Sequence, residues 1–272
     1  MRDFLPGADL LVCDELDFGA IGAAQHAGVP SVVVSVIASG ALVRPVRLTH
    51  ALGQLGEALG LSGPVRSRGD VFVVPFAPTM RDPLFPTPDD ALCMRPDAGP
   101  PPAPDGSIVA TLGTEFNTES GDLFHRILAA LARFNTPSVL AVGNDVDPAR
   151  FGRQPAHVQV RRFVDFDALL PRASVVVHHG GSGLFLRSVL SGTPQVVLPM
   201  GADQPFNARR VDDLGLGATL DPTTVDSSDI FEAITAVLAN DQALESTAAL
   251  RRSTLNLPAP ADVIAHISSS VL

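Results

Sequence analysis

From Ser107 onward, short β-branched and aliphatic runs alternate with longer helical stretches, and this alternation limits the fold more than any other feature of the chain. "SIVATLG", "SVLAVG", "VQVRRF", "SVVVHHG" and "QVVLPM" are the strands of this pattern, and nearly continuous apolar runs of that kind suit a sheet covered on both faces. Helices are expected between them, from about Asp122 to Phe134, Leu184 to Ser191 and Pro205 to Leu214. In the first, Leu123, Ile127, Leu131 and Phe134 recur at spacings of three and four, the stripe of a helix lying on a sheet. Strand and helix in regular turn predict an α/β fold with a doubly wound parallel sheet, whose ligand crevice lies at the carboxyl ends of the strands. The glycine-bearing exits "TLGT", "AVGN" and "HHGGSG" all fall on that edge.

A looser version of the pattern comes first. "DLLVCDEL" (9–16) and "SVVVSV" (31–36) flank the helix-compatible "FGAIGAAQHAG", and "VFVVPF" (71–76) follows a helix expected around "LTHALGQLGEALG". Proline then becomes dense, culminating in "PDAGPPPAPDG" (96–106), which suits a stiff connection and neither helix nor central strand. The expected organisation is a Rossmann-like domain over 1–90, which the family resemblance given below implies to be incomplete, a linker over 91–106 and a complete domain over 107–255. A final segment, 256–272, is expected to pack back toward the first domain.

Composition narrows the function classes. Chain length, 272 residues, suits two domains, and 29 acidic against 19 basic residues give a net charge of −10 that repels a phosphate backbone. With no clustered Lys/Arg stripe, nucleic acid is excluded as a partner. Cys13 and Cys93 do not make a disulfide scaffold and fit a reducing compartment. Acidic residues through the N-terminal stretch exclude a signal peptide, and no run reaches the ~18–20 apolar residues of a spanning helix, so a cytoplasmic protein without membrane insertion is expected.

The turn "HHGGSG" carries the most chemistry. Gly180, Gly181, Ser182 and Gly183 stand where a strand ends and a helix begins, and helix N-termini offer unsatisfied N–H groups and partial positive charge to an anion. Glycines let a phosphate approach that backbone, and a histidine at the strand end adds a directed hydrogen bond. A diphosphate fits such a site. A dinucleotide fingerprint is the competing reading, with Gly181-x-Gly183 and Asp203 as the ribose acid, but Leu186 replaces its third glycine and the turn follows the fourth strand of its domain.

The stretch 163–217, with "HHGGSGLFLRSVLSGTPQVVLPMGADQPFN" at its centre, resembles the donor-binding region of GT-B nucleotide-sugar dependent glycosyltransferases, closest to the bacterial antibiotic and macrolide branch. "SIVATLGTEFNT" (107–118) is similar to the first strand and loop of the same domain. The resemblance implies that His178, Gly180, Ser182, Gly183 and Thr114 hold the donor diphosphate, that Asp203 and Gln204 bind the sugar hydroxyls, and that Phe163 and Val164 face the base. It implies an inverting transfer of a hexose or deoxyhexose from a UDP- or TDP-sugar to a hydroxyl of a small lipophilic acceptor, with no metal and no cofactor beyond the co-substrate. Leu186 stands where plant relatives carry a ribose-binding Glu, which favours a TDP donor. Asp165, Phe166 and Leu184 also depart from the family box.

These enzymes open with a strand and a Gly-His turn that supplies the general base, and nothing like it precedes Asp9. His26 and His50 lie in helix contexts unlike it, so the catalytic base is unassigned and roughly the first 90 residues of the acceptor domain are expected to be absent. A non-catalytic nucleotide-sugar-binding paralogue is the alternative, and a nicotinamide-dependent oxidoreductase the third reading.

Overall fold

The computed structural model describes residues 7–97, 99–114 and 120–271. Residues 115–118 of the first donor-side loop, Ala98 of the proline-rich connection and Leu272 lie outside the described residues. The chain divides into two compact units, Met1–Asp97 with Asn256–Leu272, and Ala98–Leu255.

The first unit is a four-stranded parallel sheet in the order β1 (Leu11–Asp14), β2 (Ser31–Val34), β3 (Val71–Val74), β4 (Leu92–Cys93). Between these strands run α1 (Phe18–Ala27) and α2 (Pro45–Leu59), each ended by a left-handed glycine, Gly28 and Gly60. The strand order never reverses, so right-handed crossovers place both helices on one face of the sheet. The last helix of the chain, α9 (Pro260–Val271), packs in this unit: Val263 and Ile267 are buried with Val32 and Val73.

β4 corrects the linker expected over 91–106. The run from Asp89 to Arg95 contains no proline, so its N–H groups can pair, and Leu92 and Met94 pack against the Val32–Val73 cluster. Two paired residues are too few to show a period.

The second unit is a six-stranded parallel sheet. In chain order its elements are β5 (Ser107–Thr111), α3 (Leu123–Leu131), β6 (Ser138–Ala141), β7 (Val158–Arg161), α4 (Phe166–Leu169), β8 (Ala173–His178), α5 (Ser182–Ser191), β9 (Gln195–Val197), α6 (Gln204–Asp213), β10 (Gly217–Thr219), α7 (Ser227–Leu238) and α8 (Asp241–Leu255). Strand period two divides its core. Ile108, Ala110, Val175 and Val177 face α3 and α7, while Val109 and Val176 pack with Leu170, Phe166 and Leu184 on the other side.

The spatial order β10-β9-β8-β5-β6-β7 reverses direction between β5 and β8. At such a switch point the helices after the two strands leave to opposite faces, which opens a crevice at the strand ends. Thr111 pairs with His178 at that edge, so Gly113 and the glycine turn flank the same opening. Among the described residues, no helix is long and apolar enough to cross a membrane.

Candidate functional site

The two histidines separate by strand parity. His178 is the last paired residue of β8 and shares the face of Val176, which turns it into the layer beneath α5 with 0% exposure. Its Nδ1 accepts from Gly180 N at 3.1 Å and its Nε2 lies 2.9 Å from Gln195 Oε1. An amide N–H donates to Nδ1, so Nε2 carries the proton and the ring is a neutral donor to Gln195. Burial, with a smaller push from His179, lowers its pKa to about 3. The expectation that His178 contacts the diphosphate is therefore corrected. Both of its ring nitrogens are used inside the protein, and it shapes the turn.

His179 occupies the crevice instead. Its ring stands against two glycine backbones, one from each side of the switch point. A Cβ at Gly113 would lie 2.5 Å from its Cε1, and one at Gly181 2.5 Å from its Nε2. Gly113 also holds φ +77°, so no other residue meets both demands there. Desolvation lowers the His179 pKa to about 4, against an opposing pull from Asp203. Its Nδ1 is buried and has no hydrogen-bond partner among the described residues.

The turn itself leads into α5 without side-chain capping: Gly181 is the N-cap and contributes none. Gly180, at φ +89°, donates to His178, and its carbonyl accepts from Asn207 Nδ2 at 2.9 Å. Gly183 is exposed, and a Cβ there meets nothing within 4 Å. Thr114 is exposed just past Gly113.

Ser182 and Asp203 are brought together, with Ser182 Oγ donating to Asp203 Oδ2 at 2.6 Å. The hydroxyl expected to hold phosphate is thus directed at a carboxylate. Gln204 is 3% exposed, and its Oε1 accepts from Met200 N and Gly201 N at 2.8 and 3.2 Å. It fastens the loop between β9 and α6, so the sugar-contacting role expected of its amide does not extend to that oxygen. Asn207, fully buried, links Gly180, Ser182 and Asp203 and had no place in the sequence reading. The one signal for it was its position in "GADQPFN", four residues after Asp203 on the same helical face.

Phe163 and Val164 lie apart from this cluster. They follow β7, three strand spacings from β8, roughly 14 Å. Val164 is buried at 8%, whereas Phe163 is 75% exposed, an aromatic face left to solvent on the carboxyl edge. Asp165 caps α4 by accepting from Asp167 N and Ala168 N. His26 and His50 are exposed on α1 and α2.

Parallel sheets in two units, with the glycine-bearing strand exits of the second converging on a switch point, define a GT-B type α/β protein. The chain belongs to the family described as Erythromycin biosynthesis protein CIII-like, C-terminal domain, which matches residues 125–269. It is 34% identical over 63% of its length to the elloramycin glycosyltransferase ElmGT of Streptomyces olivaceus, covering 43% of that protein. It is 30% identical over 83% of its length to the L-demethylnoviosyl transferase of Streptomyces niveus, covering 61% of it. The matched stretches thus span less than two thirds of these relatives. Among solved structures, the spinosyn forosaminyltransferase SpnP matches 99% of the chain with a TM-score of 0.81, 23% identity and 78% of its own chain covered. The glycosyltransferase VinC in complex with DTDP matches 96% with a TM-score of 0.77, 21% identity and 71% covered. At these identities the structural matches speak to the fold.

Proposed function

We propose that the second unit binds the nucleotide diphosphate of a UDP- or TDP-sugar, and that the chain belongs to an inverting glycosyltransferase acting on a hydroxyl of a lipophilic natural product. The observation that carries this reading is the imidazole of His179 standing between the Gly113 and Gly181 backbones at the uncapped start of α5. A diphosphate placed there meets helix N–H groups, the helix dipole and one neutral imidazole donor. Glycines 113, 181 and 183 and Thr114 line its approach, and the exposed ring of Phe163 offers a stacking face for a base. VinC with DTDP and the rhamnosyltransferase SpnG with thymidine diphosphate and with spinosyn aglycone support a TDP donor and a natural-product acceptor.

In the proposed step the acceptor hydroxyl gives its proton to a general base, for which no residue is assigned, and attacks the anomeric carbon from the face opposite the diphosphate. The bond from that carbon to the diphosphate breaks, and the diphosphate leaves with the electron pair. Negative charge then grows on the phosphate oxygen beside α5. Donors already in place at that point lower the barrier more than they tighten the ground state, and this does the work a metal does elsewhere.

Calorimetric titration with TDP, UDP and NAD tests the reading. Saturable binding of TDP or UDP, none of NAD, and a loss of about tenfold or more in His179→Ala are expected, one charge-assisted hydrogen bond being worth roughly 1.5–3 kcal/mol. A folded chain that binds neither TDP nor UDP would falsify it.

A further inference from the structure

The loop from β9 to α6 presents a carboxylate beside an anion site, which calls for a physical reason. A carboxylate repels a diphosphate, so an acid on the flank of the glycine turn suits a neutral hydroxyl partner. Asp203 is the N-cap of α6, yet its side chain makes no capping hydrogen bond, the ordinary structural task of an aspartate there. It is turned instead to Ser182 Oγ at 2.6 Å and Asn207 Nδ2 at 2.8 Å, and both reach the same oxygen, Oδ2. Asn207 Nδ2 also lies 2.9 Å from Gly180 O and 3.0 Å from Ser182 Oγ. The Gly180 carbonyl and the carboxylate can only accept, so the amide must present its nitrogen to this cluster. The loop is held further by Gln204 Oε1, and Ala202 stands at φ +53° within it. A non-glycine residue persists in that region only where its surroundings over-determine it.

We propose that Ser182 and Asn207 are positioning residues that aim the Asp203 carboxylate at a hydroxyl of the donor sugar and fasten it to the diphosphate turn. This rests on the donor-site reading above. Hydrogen bonds to Oδ2 fix the rotation of the carboxylate, and among the described residues Oδ1 is the oxygen left for the ligand. The sugar's orientation is thereby set from the same turn that holds the phosphates.

The test compares TDP with TDP-glucose on the full chain, in wild type, Ser182→Ala, Ser182→Thr and Asn207→Ala. Ser182→Ala keeps the α5 backbone and its N–H, so TDP affinity should change less than about twofold while TDP-glucose weakens about fivefold, one hydrogen bond's worth. Ser182→Thr should restore it. Asn207→Ala should act in the same direction; since that side chain is a buried hub and its loss can unfold the unit, the Ser182 pair decides the matter. Equal losses for both ligands, or none for either, overturn the positioning role while TDP binding by wild type keeps the donor-site reading intact. A wild type that binds TDP and TDP-glucose equally also overturns it. Absence of both TDP and UDP binding in folded wild type removes the donor reading and this role together.

Discussion

Adjacent histidines with opposite duties show how a single strand period divides a site. His178 lies inside the ladder and is committed to Gly180 and Gln195, while His179, one residue past it, stands in the crevice. Replacing His178 with alanine leaves the Gly180 N–H and the Gln195 carbonyl without partners and opens a cavity. A loss of about 3 kcal/mol in urea unfolding is expected, of the size typical for such deletions. His179→Ala should change stability far less and act on nucleotide affinity. A His178→Ala protein as stable as wild type yet unable to bind nucleotide would return the ligand role to His178. The sequence made the pair conspicuous but not its division, because the family box drew attention to its first histidine. Parity settles the choice only once the last ladder pair, Thr111 with His178, is known. Phe163 taught the reverse lesson: an isolated Phe at a strand end reads as core or ligand contact alike, and its 75% exposure comes from tertiary structure alone.

At the scale of elements, the turn between β8 and α5 uses its glycines for two purposes. Gly180 has φ +89°, and a Cβ there would sit 2.9 Å from Val197 Cγ1 and 3.2 Å from the Gln204 carbonyl oxygen. Gly180→Ala combines backbone strain with overpacking and is expected to cost about 2–4 kcal/mol. Gly183 lies in the first turn of α5 with open space around it, so alanine should be neutral or gain up to ~1 kcal/mol from helix propensity. Its methyl would then occupy the proposed path of the phosphates and weaken TDP binding. Thermal unfolding and titration of both variants check this; a Gly183→Ala protein with unaltered TDP affinity would place the ligand elsewhere. Glycine spacing made this turn legible, since strand, glycines and helix follow one another in the chain. The Ser182, Asp203 and Asn207 cluster was hidden because its groups come from two helices' beginnings separated by β9. β4 was hidden for another reason, two paired residues in a proline-rich stretch.

On the scale of the whole molecule, the reversal of strand order between β5 and β8 explains why glycine-bearing turns from distant sequence share one edge, and it places two ionisable rings there, His178 buried and His179 half-buried. Their pKa values of about 3 and 4 lie below the ordinary value of 6.5 that an unfolded chain would show. Below pH 6.5 the unfolded chain binds protons that the native protein refuses, so the stability contributed by these neutral rings is complete above 6.5 and is lost as pH falls toward 4 and then 3. Two such groups give a slope of up to about 3 kcal/mol per pH unit near pH 5, where both are protonated only in the unfolded state. Urea midpoints at pH 7.5, 6.5, 5.8 and 5.2 should therefore fall slightly between the first two and more steeply through the last two, a window largely above ordinary carboxylate titration. Nitrogen-15 spectra of the imidazoles provide the specific check: His178 should keep a protonated Nε2 and a bare Nδ1 across the whole range. Titration of that ring near pH 6.5 would mean that it is not sealed beneath α5, and the division of labour between the two histidines would fail with it.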